Sequence, residues 1–491
     1  MITTPSTHLF KMRTTPYKHQ QQEFEKSRDM EYYGFLWEMG CGKSKPLIDT
    51  MAWLYLKQEI DGVLIVSDKG AYLNWYFEEI TKHIPEGISY RLVYWSSYMN
   101  RLEQAKVDVV MTARDDCLDI MCMNVEALGF QPKKKQTRAF DIAKQFIKNH
   151  YCMMIVDEST SIKNPKADRT KACWELGALC DYRRIATGTP ITQSPLDLFG
   201  QCQFLKQGVL GYHSFVAFRA YYAEMITINL GTRSFQTIAG FRNLDQLSQS
   251  IKPFTSRILK TECLDLPPKV YETIYIEQTI EQKRAYEDLK EKSLLQFTQG
   301  MLTSTSALTT INKLHQINCG HVKIDDGTTI DIPSNRIKVM VGILSDMDPR
   351  IKVIIWCGFQ RDVELIVAAL EEVDDKRYPV HYYGKTGDND RLAALSMFRT
   401  DPLCSWFVGT AATGGKAITL VESNYTFYYS NTYNLEDRLQ SEDRNHRIGQ
   451  VSKVTYVDLI VRGTIDQRIV KALRMKQDLA SKVLDDYREL I

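Results

Sequence analysis

The chain has 491 residues, with 62 Lys and Arg against 60 Asp and Glu, for a formal net charge of +2. One hydrophobic core does not grow to that size, so two or more domains are expected, and the balanced charge means that any nucleic acid would have to be met by a local basic groove. Apolar residues make up 44%, no apolar run is long enough to span a bilayer, and MITTPSTHLFKMR lacks the apolar stretch of a signal peptide. The 11 cysteines include no C-x-x-C pair, which argues against zinc and thioredoxin-like motifs and for reduced thiols in a cytosolic or nuclear compartment.

The first string that carries chemistry is FLWEMGCGKSK, residues 35–45. It resembles a phosphate loop, in which backbone N–H groups wrap phosphates, a lysine reaches the outer ones and a hydroxyl holds Mg²⁺. Gly40 and Gly42 would allow close backbone approach, and Lys43 and Ser44 would be the lysine and hydroxyl. The strict pattern wants glycine where Trp37 stands, and the plainer alternative is a glycine turn before a helix.

Short apolar runs that read as buried strands follow in order: GVLIVS (62–67), CMMIVDE (152–158), RRIATGT (183–189), KVIIWC (352–357), SWFVGT (405–410) and YTFYYS (425–430). Helical stretches such as YLNWYFEEITKHI and RDVELIVAALEEV lie between them, which predicts α/β architecture with parallel sheets covered on both faces. CMMIVDE delivers two acids at a strand's C-terminal end, where such sheets place ligand chemistry. Asp157 would bind Mg²⁺ and Glu158 would polarise an attacking water. The alternation breaks between about 198 and 268 and again between about 280 and 318, where helices are expected. Pro267-Pro268 suggests a connector between domains. Near the end stands QSEDRNHRIGQ (440–450). Arg444 and Arg447 are three apart and would share a face if helical; arginines so placed can stabilise charge on a transferring phosphoryl group, although a basic surface helix is the plainer alternative.

Taken together and in order, these strings resemble the Swi/Snf-type ATPases of helicase superfamily two, over about residues 16–476. TPYKHQQ (15–21) looks like the adenine-reading segment with Gln20. EMGCGKS is close to the family's usual EMGLGKT, which also lacks the first glycine, so Trp37 ceases to be an objection. VLIVSDKGAYLNWYFEEI, NVEAL, DEST, IKNPKADRTKA, TGTPITQSPLDLFGQCQFL and GFRNLDQLSQSIKPFTSRILKTECLDLPPK each resemble a family segment. So do KLHQINCG, KVIIWCGFQ, TAATGGKAITL, QSEDRNHRIGQ and VRGTIDQRIVKALRMKQ. In TAATGGKAITL, Ala417 stands for an expected glycine and Thr419 for an expected asparagine.

The resemblance implies two RecA-like lobes using ATP and Mg²⁺. ATP would be met by Gln20, Met39, Gly40, Cys41, Gly42, Lys43, Ser44, Gly415 and Gln440, with Ser44 and Asp157 on the metal. Lys43, Asp157, Glu158, Arg444 and Arg447 would be catalytic, the arginines reaching the nucleotide from the second lobe. Thr187, Gly188 and Thr189 would couple nucleotide to motion. DNA, expected to be duplex and bound without sequence preference, would be held by Lys69, Asn74, Lys163, Asn164, Arg169, Thr413, Gly414 and Lys416, with the run 132–138 a further candidate. The expected layout is a tail (1–15), lobe 1 (16–265, with a helical insertion about 206–256), a hinge (266–279), lobe 2 (280–475, with a helical protrusion about 280–318) and a C-terminal helix (476–491). The implied activity is translocation along duplex DNA. A strand-separating helicase, or a decayed ATPase that only binds, are the alternatives. A monomer in the cytoplasm of a bacterial or phage-infected cell, without a membrane partner, is expected.

Overall fold

The computed structural model describes residues 10–69, 71–114, 116–129, 138–230, 233–298, 304–373, 376–414 and 418–484. It divides into two compact units: Met1–Glu224 with Gly240–Leu264 and Leu479–Ile491, and Met225–Ala239 with Asp265–Asp478.

The first unit is built on a seven-stranded sheet in the order Tyr90–Trp95, Leu118–Asn124, Gly62–Ser67, Cys152–Asp157, Tyr182–Ala186, Tyr32–Trp37, Thr255–Ile258. All its pairings are parallel. GVLIVS is buried at every position. Unbroken apolar runs of this kind suit a strand covered on both faces. Helix Ser44–Leu56 lays Leu47, Ile48, Met51 and Leu54 on Phe35, Trp37, Val63 and Ile65 of the sheet.

One buried cation organises an edge of this unit. Arg184 has no carboxylate partner among the described residues; its guanidinium donates to the carbonyls of Ser27 (3.0 Å), Met30 (2.7 Å), Glu31 (3.2 Å) and Arg183 (2.9 Å). Burial lowers its pKa to about 9. The guanidinium thus closes the end of helix Lys18–Ser27 and fixes the turn into the strand that leads to the phosphate loop.

The insertion between about 206 and 256 is not all helical. Helices Phe215–Tyr222 and Leu244–Ile251 flank a two-stranded hairpin, Ala223–Leu230 with Arg233–Phe241. Its MITI and TIAGF stretches carry the β-branched and aromatic residues that favour an extended chain.

The second unit is built on a six-stranded sheet, all paired in parallel, in the order Lys269–Ile276, Val454–Val461, Tyr425–Tyr428, Val353–Cys357, Cys404–Thr410, Tyr378–Tyr382. Successive residues face opposite sides: Ile355, Trp406 and Val408 enter one apolar cluster, and Ile354, Trp356 and Phe407 the other. The expected hinge 266–279 contains regular structure. Lys269–Ile276 is an edge strand in register with Val454–Val461, because KVYETIYI offers a full set of ladder donors once Pro267-Pro268 is passed. Helices Ile280–Thr298 and Ser304–Cys319 follow. The last helix is Ile465–Leu484, starting earlier than the expected 476.

Arg184→Leu should lower the free energy of unfolding by about 3 kcal/mol, since it removes the donor set of four carbonyls at once. Arg183→Leu, which removes a single 3.2 Å bond to the Gly177 carbonyl, should cost about 1 kcal/mol or less. Urea denaturation of both variants checks this, and equal losses would contradict the role given to Arg184.

Candidate functional site

Strand Tyr32–Trp37 lies beside Tyr182–Ala186, which lies beside Cys152–Asp157, all parallel. Three sequence-distant segments therefore leave the first sheet at one edge. Gly40 (φ 83°) and Gly42 (φ 74°) occupy the left-handed region, which a side chain would strain. A Cβ on Gly42 would sit 2.3 Å from Gln20 Nε2. Gln20 is locked in place: its Nε2 donates to the Gly42 carbonyl (2.9 Å) and its Oε1 accepts from Tyr17 N (2.8 Å). His19 Nε2 lies 2.9 Å from the Cys41 carbonyl. Lys43 Nζ is folded into its own loop, donating to the carbonyls of Trp37 (3.0 Å) and Glu38 (3.3 Å). Helix Ser44–Leu56 starts there without a side-chain cap, so its first N–H groups and positive dipole end face the loop.

The acids come next. Asp157 Oδ2 accepts from Trp75 Nε1 (2.8 Å) and Ser67 Oγ (3.5 Å). Burial raises its pKa more than Trp75 and Lys43 lower it. Glu158 has φ 48°, left-handed for a non-glycine residue. Strain of that kind persists only where neighbours hold it; here Thr187 Oγ1 donates to Glu158 Oε2 (3.3 Å), Thr187 N to Phe35 O (3.1 Å) and Thr189 N to Thr187 Oγ1 (3.2 Å). A Cβ on Gly188 would be 2.8 Å from Met39 Cγ, so the TGT turn packs directly on the phosphate loop. Gln20, Met39 to Lys43, Asp157, Glu158 and Thr187 to Thr189 are thus brought together.

Sequence reading missed Glu79. Residues Trp75–Glu79 form a π-helical turn, which brings Asn74 Nδ2 to Glu79 Oε1 (3.4 Å). Burial raises the Glu79 pKa; the nearby Ser44 hydroxyl and Lys82 lower it, and Asp157 raises it further. A carboxylate beside the phosphate-loop serine has no sequence signature, because an α-helical count does not anticipate the wider turn. Two carboxyls raised by burial, Glu79 also by Asp157, leave the site short of positive charge, which suits a divalent cation. Among the described residues no three acidic, histidine or cysteine side chains form a cage. Mg²⁺ held by one or two protein groups and substrate phosphates needs none.

In the second unit the arginine pair is corrected. Helix Leu435–Glu442 ends before it, and Arg444 and Arg447 lie in the turns that follow. No helical face is shared, because side chains of this segment bind main chain instead. Arg444 is 7% exposed, donating from Nε to Gln440 O (2.8 Å) and from a terminal nitrogen to Ile418 O (3.1 Å). Gln440 is buried and donates to Glu436 (3.2 Å). Asn445 donates to Thr426 Oγ1 (3.0 Å), His446 Nε2 meets Pro267 O (2.8 Å), and Gln450 reaches three carbonyls. Buried Glu442 takes bonds from Lys269 (3.2 Å), Tyr271 (2.8 Å) and Arg438 (2.8 Å); burial raises its pKa, but Lys269 and Arg438 hold it below the usual range. The half-buried Arg447 guanidinium makes no hydrogen bond or ion pair among the described residues.

Of the residues expected on DNA, Lys69, Asn74 and Asn164 are exposed. Asn164 Oδ1 accepts from Lys166 N (3.0 Å), Lys163 donates to the Thr192 hydroxyl and Arg169 Nε to Ser161 O (2.7 Å). Thr413 is half-buried, and Gly414 is packed on Trp356, whose ring a Cβ would meet at 2.5 Å. Gly415, Lys416 and residues 132–137 lie outside the described residues.

The SNF2-related domain family matches residues 30–323, more than half of the chain. The chain belongs to this family of helicase-like ATPases, and membership implies use of ATP, with Mg²⁺ generally required. It is 28% identical over 390 residues to the TATA-binding protein-associated factor mot1 of Aspergillus fumigatus, covering 68% of this chain and 20% of that protein. It is 25% identical over 464 residues to the DNA annealing helicase and endonuclease ZRANB3 of Mus musculus, covering 92% and 39%. An uncharacterized ATP-dependent helicase of Mycoplasma genitalium is 25% identical over 453 residues, covering 91% and 40%. The chain thus spans only a fifth to two fifths of the length of these relatives. Among solved structures, the Sulfolobus solfataricus SWI2/SNF2 ATPase core in complex with dsDNA aligns over 97% of this chain and 94% of that one, at TM-score 0.41 and 22% identity.

Trp75→Phe keeps a ring and removes the donor to Asp157. Trp95→Phe makes the same change where the indole nitrogen has no partner among the described residues. The Trp75 variant should lose about 1–2 kcal/mol more stability than the Trp95 variant. Urea melts compare them, and equal losses would remove the Trp75–Asp157 bond from the account.

Proposed function

We propose that this chain is an ATP-driven translocase on duplex DNA. The observation that carries the reading is the convergence of Lys43, Asp157, Glu158 and Thr187 at one sheet edge, beside an uncapped helix N-terminus. Main-chain N–H groups of residues 40–44 would wrap the phosphates. Lys43 would leave the Trp37 and Glu38 carbonyls for the outer phosphates, and Ser44 and Asp157 would hold Mg²⁺, which supplies charge neutralisation on the phosphate oxygens. Glu158 would orient the attacking water, and Thr187, bonded to Glu158, would report the state of the site. The second unit would contribute Arg447 to the transferring charge, because Arg444 is committed to main-chain carbonyls.

Lys69, Asn74, Lys163, Asn164, Arg169, Thr413, Gly414 and Lys416 would meet the phosphate backbone of DNA, which positions a protein without reading sequence. Cycles of nucleotide binding and release would alternate the grip of the two units on that backbone. The names of ZRANB3 and the Mycoplasma protein favour a second reading, strand separation or annealing.

ATPase rates measured with no nucleic acid, single-stranded DNA, duplex, forked DNA and RNA should be highest with duplex, with no displacement of a tailed strand. Robust displacement would replace translocation with unwinding, and equal rates in all arms would remove DNA from the mechanism. Lys43→Ala should abolish turnover. Arg447→Ala should cut turnover by roughly 10³ to 10⁵ with little change in nucleotide affinity or melting temperature, whereas Arg444→Ala should lower the melting temperature. If the two arginine variants behave alike, the division of labour drawn from their partners is wrong.

A further inference from the structure

We propose that Cys41 and Cys263 are a peroxide-oxidisable dithiol, a modification site whose disulfide clamps the phosphate loop; the clamping rests on the nucleotide reading above. Both thiols are free, and their sulfurs lie 3.4 Å apart. Cys41 is the residue between the two left-handed glycines, Gly40 and Gly42, at the place of the leucine in EMGLGKT. Cys263 ends the short helix Lys260–Cys263, whose start is tied to the same loop by Lys260 N donating to Glu38 Oε2 (2.7 Å). The pair therefore joins a segment that must adapt to phosphates to one fixed beside it.

Access separates the roles of the two sulfurs. Cys41 is 1% exposed, whereas Cys263 is partly open to solvent, so a dissolved oxidant meets Cys263 first. The close contact of the two sulfurs holds the Cys263 thiol below its ordinary value and pushes Cys41 up. Thiolate character and exposure are what select a cysteine for oxidation. The other thiols in mutual contact, Cys152 and Cys180, are both buried and offer peroxide no such entry.

The chemistry balances with hydrogen peroxide as oxidant. The Cys263 thiolate attacks one peroxide oxygen and the O–O bond breaks, leaving a sulfenic acid and hydroxide, which takes up the thiol's proton as water. The Cys41 sulfur then attacks the Cys263 sulfur; the S–S bond forms, the S–O bond breaks, and the sulfenic oxygen leaves with the Cys41 proton as a second water. Two thiols lose two electrons and the peroxide gains them. A thiol reductant reverses the step by exchange.

The test is oxidation of the whole chain by peroxide, followed by tryptic mass spectrometry and titration with a fluorescent ATP analogue. A cross-link between peptides Asp29–Lys43 and Thr261–Lys269 is expected, with nucleotide affinity lower by about tenfold or more and restored by dithiothreitol. Cys263→Val should bind nucleotide normally, form no cross-link and keep its affinity in peroxide. Absence of the cross-link, or equal loss of affinity in Cys263→Val, would overturn the proposal. If the reduced protein fails to bind nucleotide, the nucleotide reading and the clamp fall, while the cross-linked peptide alone decides the thiol chemistry.

Discussion

Because Tyr32–Trp37, Cys152–Asp157 and Tyr182–Ala186 pair in parallel, their C-terminal ends leave the sheet on one side. Everything at the candidate site depends on that constraint. The phosphate loop, the two acids and the TGT turn are separated by long stretches of chain, yet topology alone delivers them to one edge. Packing then sets the distances. Gly188 admits Met39 against its own backbone, and Arg184 holds the turn that feeds the first strand. A sheet with one strand reversed would keep the same core residues and lose the site.

A second principle runs through the segment 440–450. Buried polar side chains must find partners, and here most of them find main-chain carbonyls or each other. Gln450 serves three carbonyls, Arg444 two, His446 one, and Glu442 gathers Lys269, Tyr271 and Arg438. These bonds shape a turn that no propensity for helix would produce. Against that background Arg447, without a side-chain partner among the described residues, stands out, since the described chain around it has been shaped without recruiting it.

The strands and the phosphate loop were legible because their signals are local: apolar runs of strand length, and glycines next to Lys-Ser. The acids of CMMIVDE were legible because a strand end followed directly. What escaped depends on partners remote in sequence. Trp75 and Asp157 are 82 residues apart, Cys41 and Cys263 are 222 apart, and only the fold brings them together. Arg444 and Arg447 at helical spacing invited a shared face, but carbonyl-seeking side chains between and around them won over the local period. KVYETIYI was mistaken for a connector because a diproline precedes it, whereas an edge strand can begin directly after proline.

The state seen at the loop also bears on how binding energy would be used. Lys43 is satisfied by two carbonyls of its own loop. Those bonds must be exchanged, not simply added, so the net affinity is a difference between similar terms. The acids shift the balance: Asp157 and Glu79 are both raised by burial, so a cation beside Ser44 would be favoured. Thr187 is bonded to Glu158, which is itself held in a strained conformation. A change in what Glu158 holds would therefore be felt first in the TGT turn and, through Gly188 and Met39, in the loop itself. The same few contacts that hold the site together are the ones through which occupancy would be transmitted.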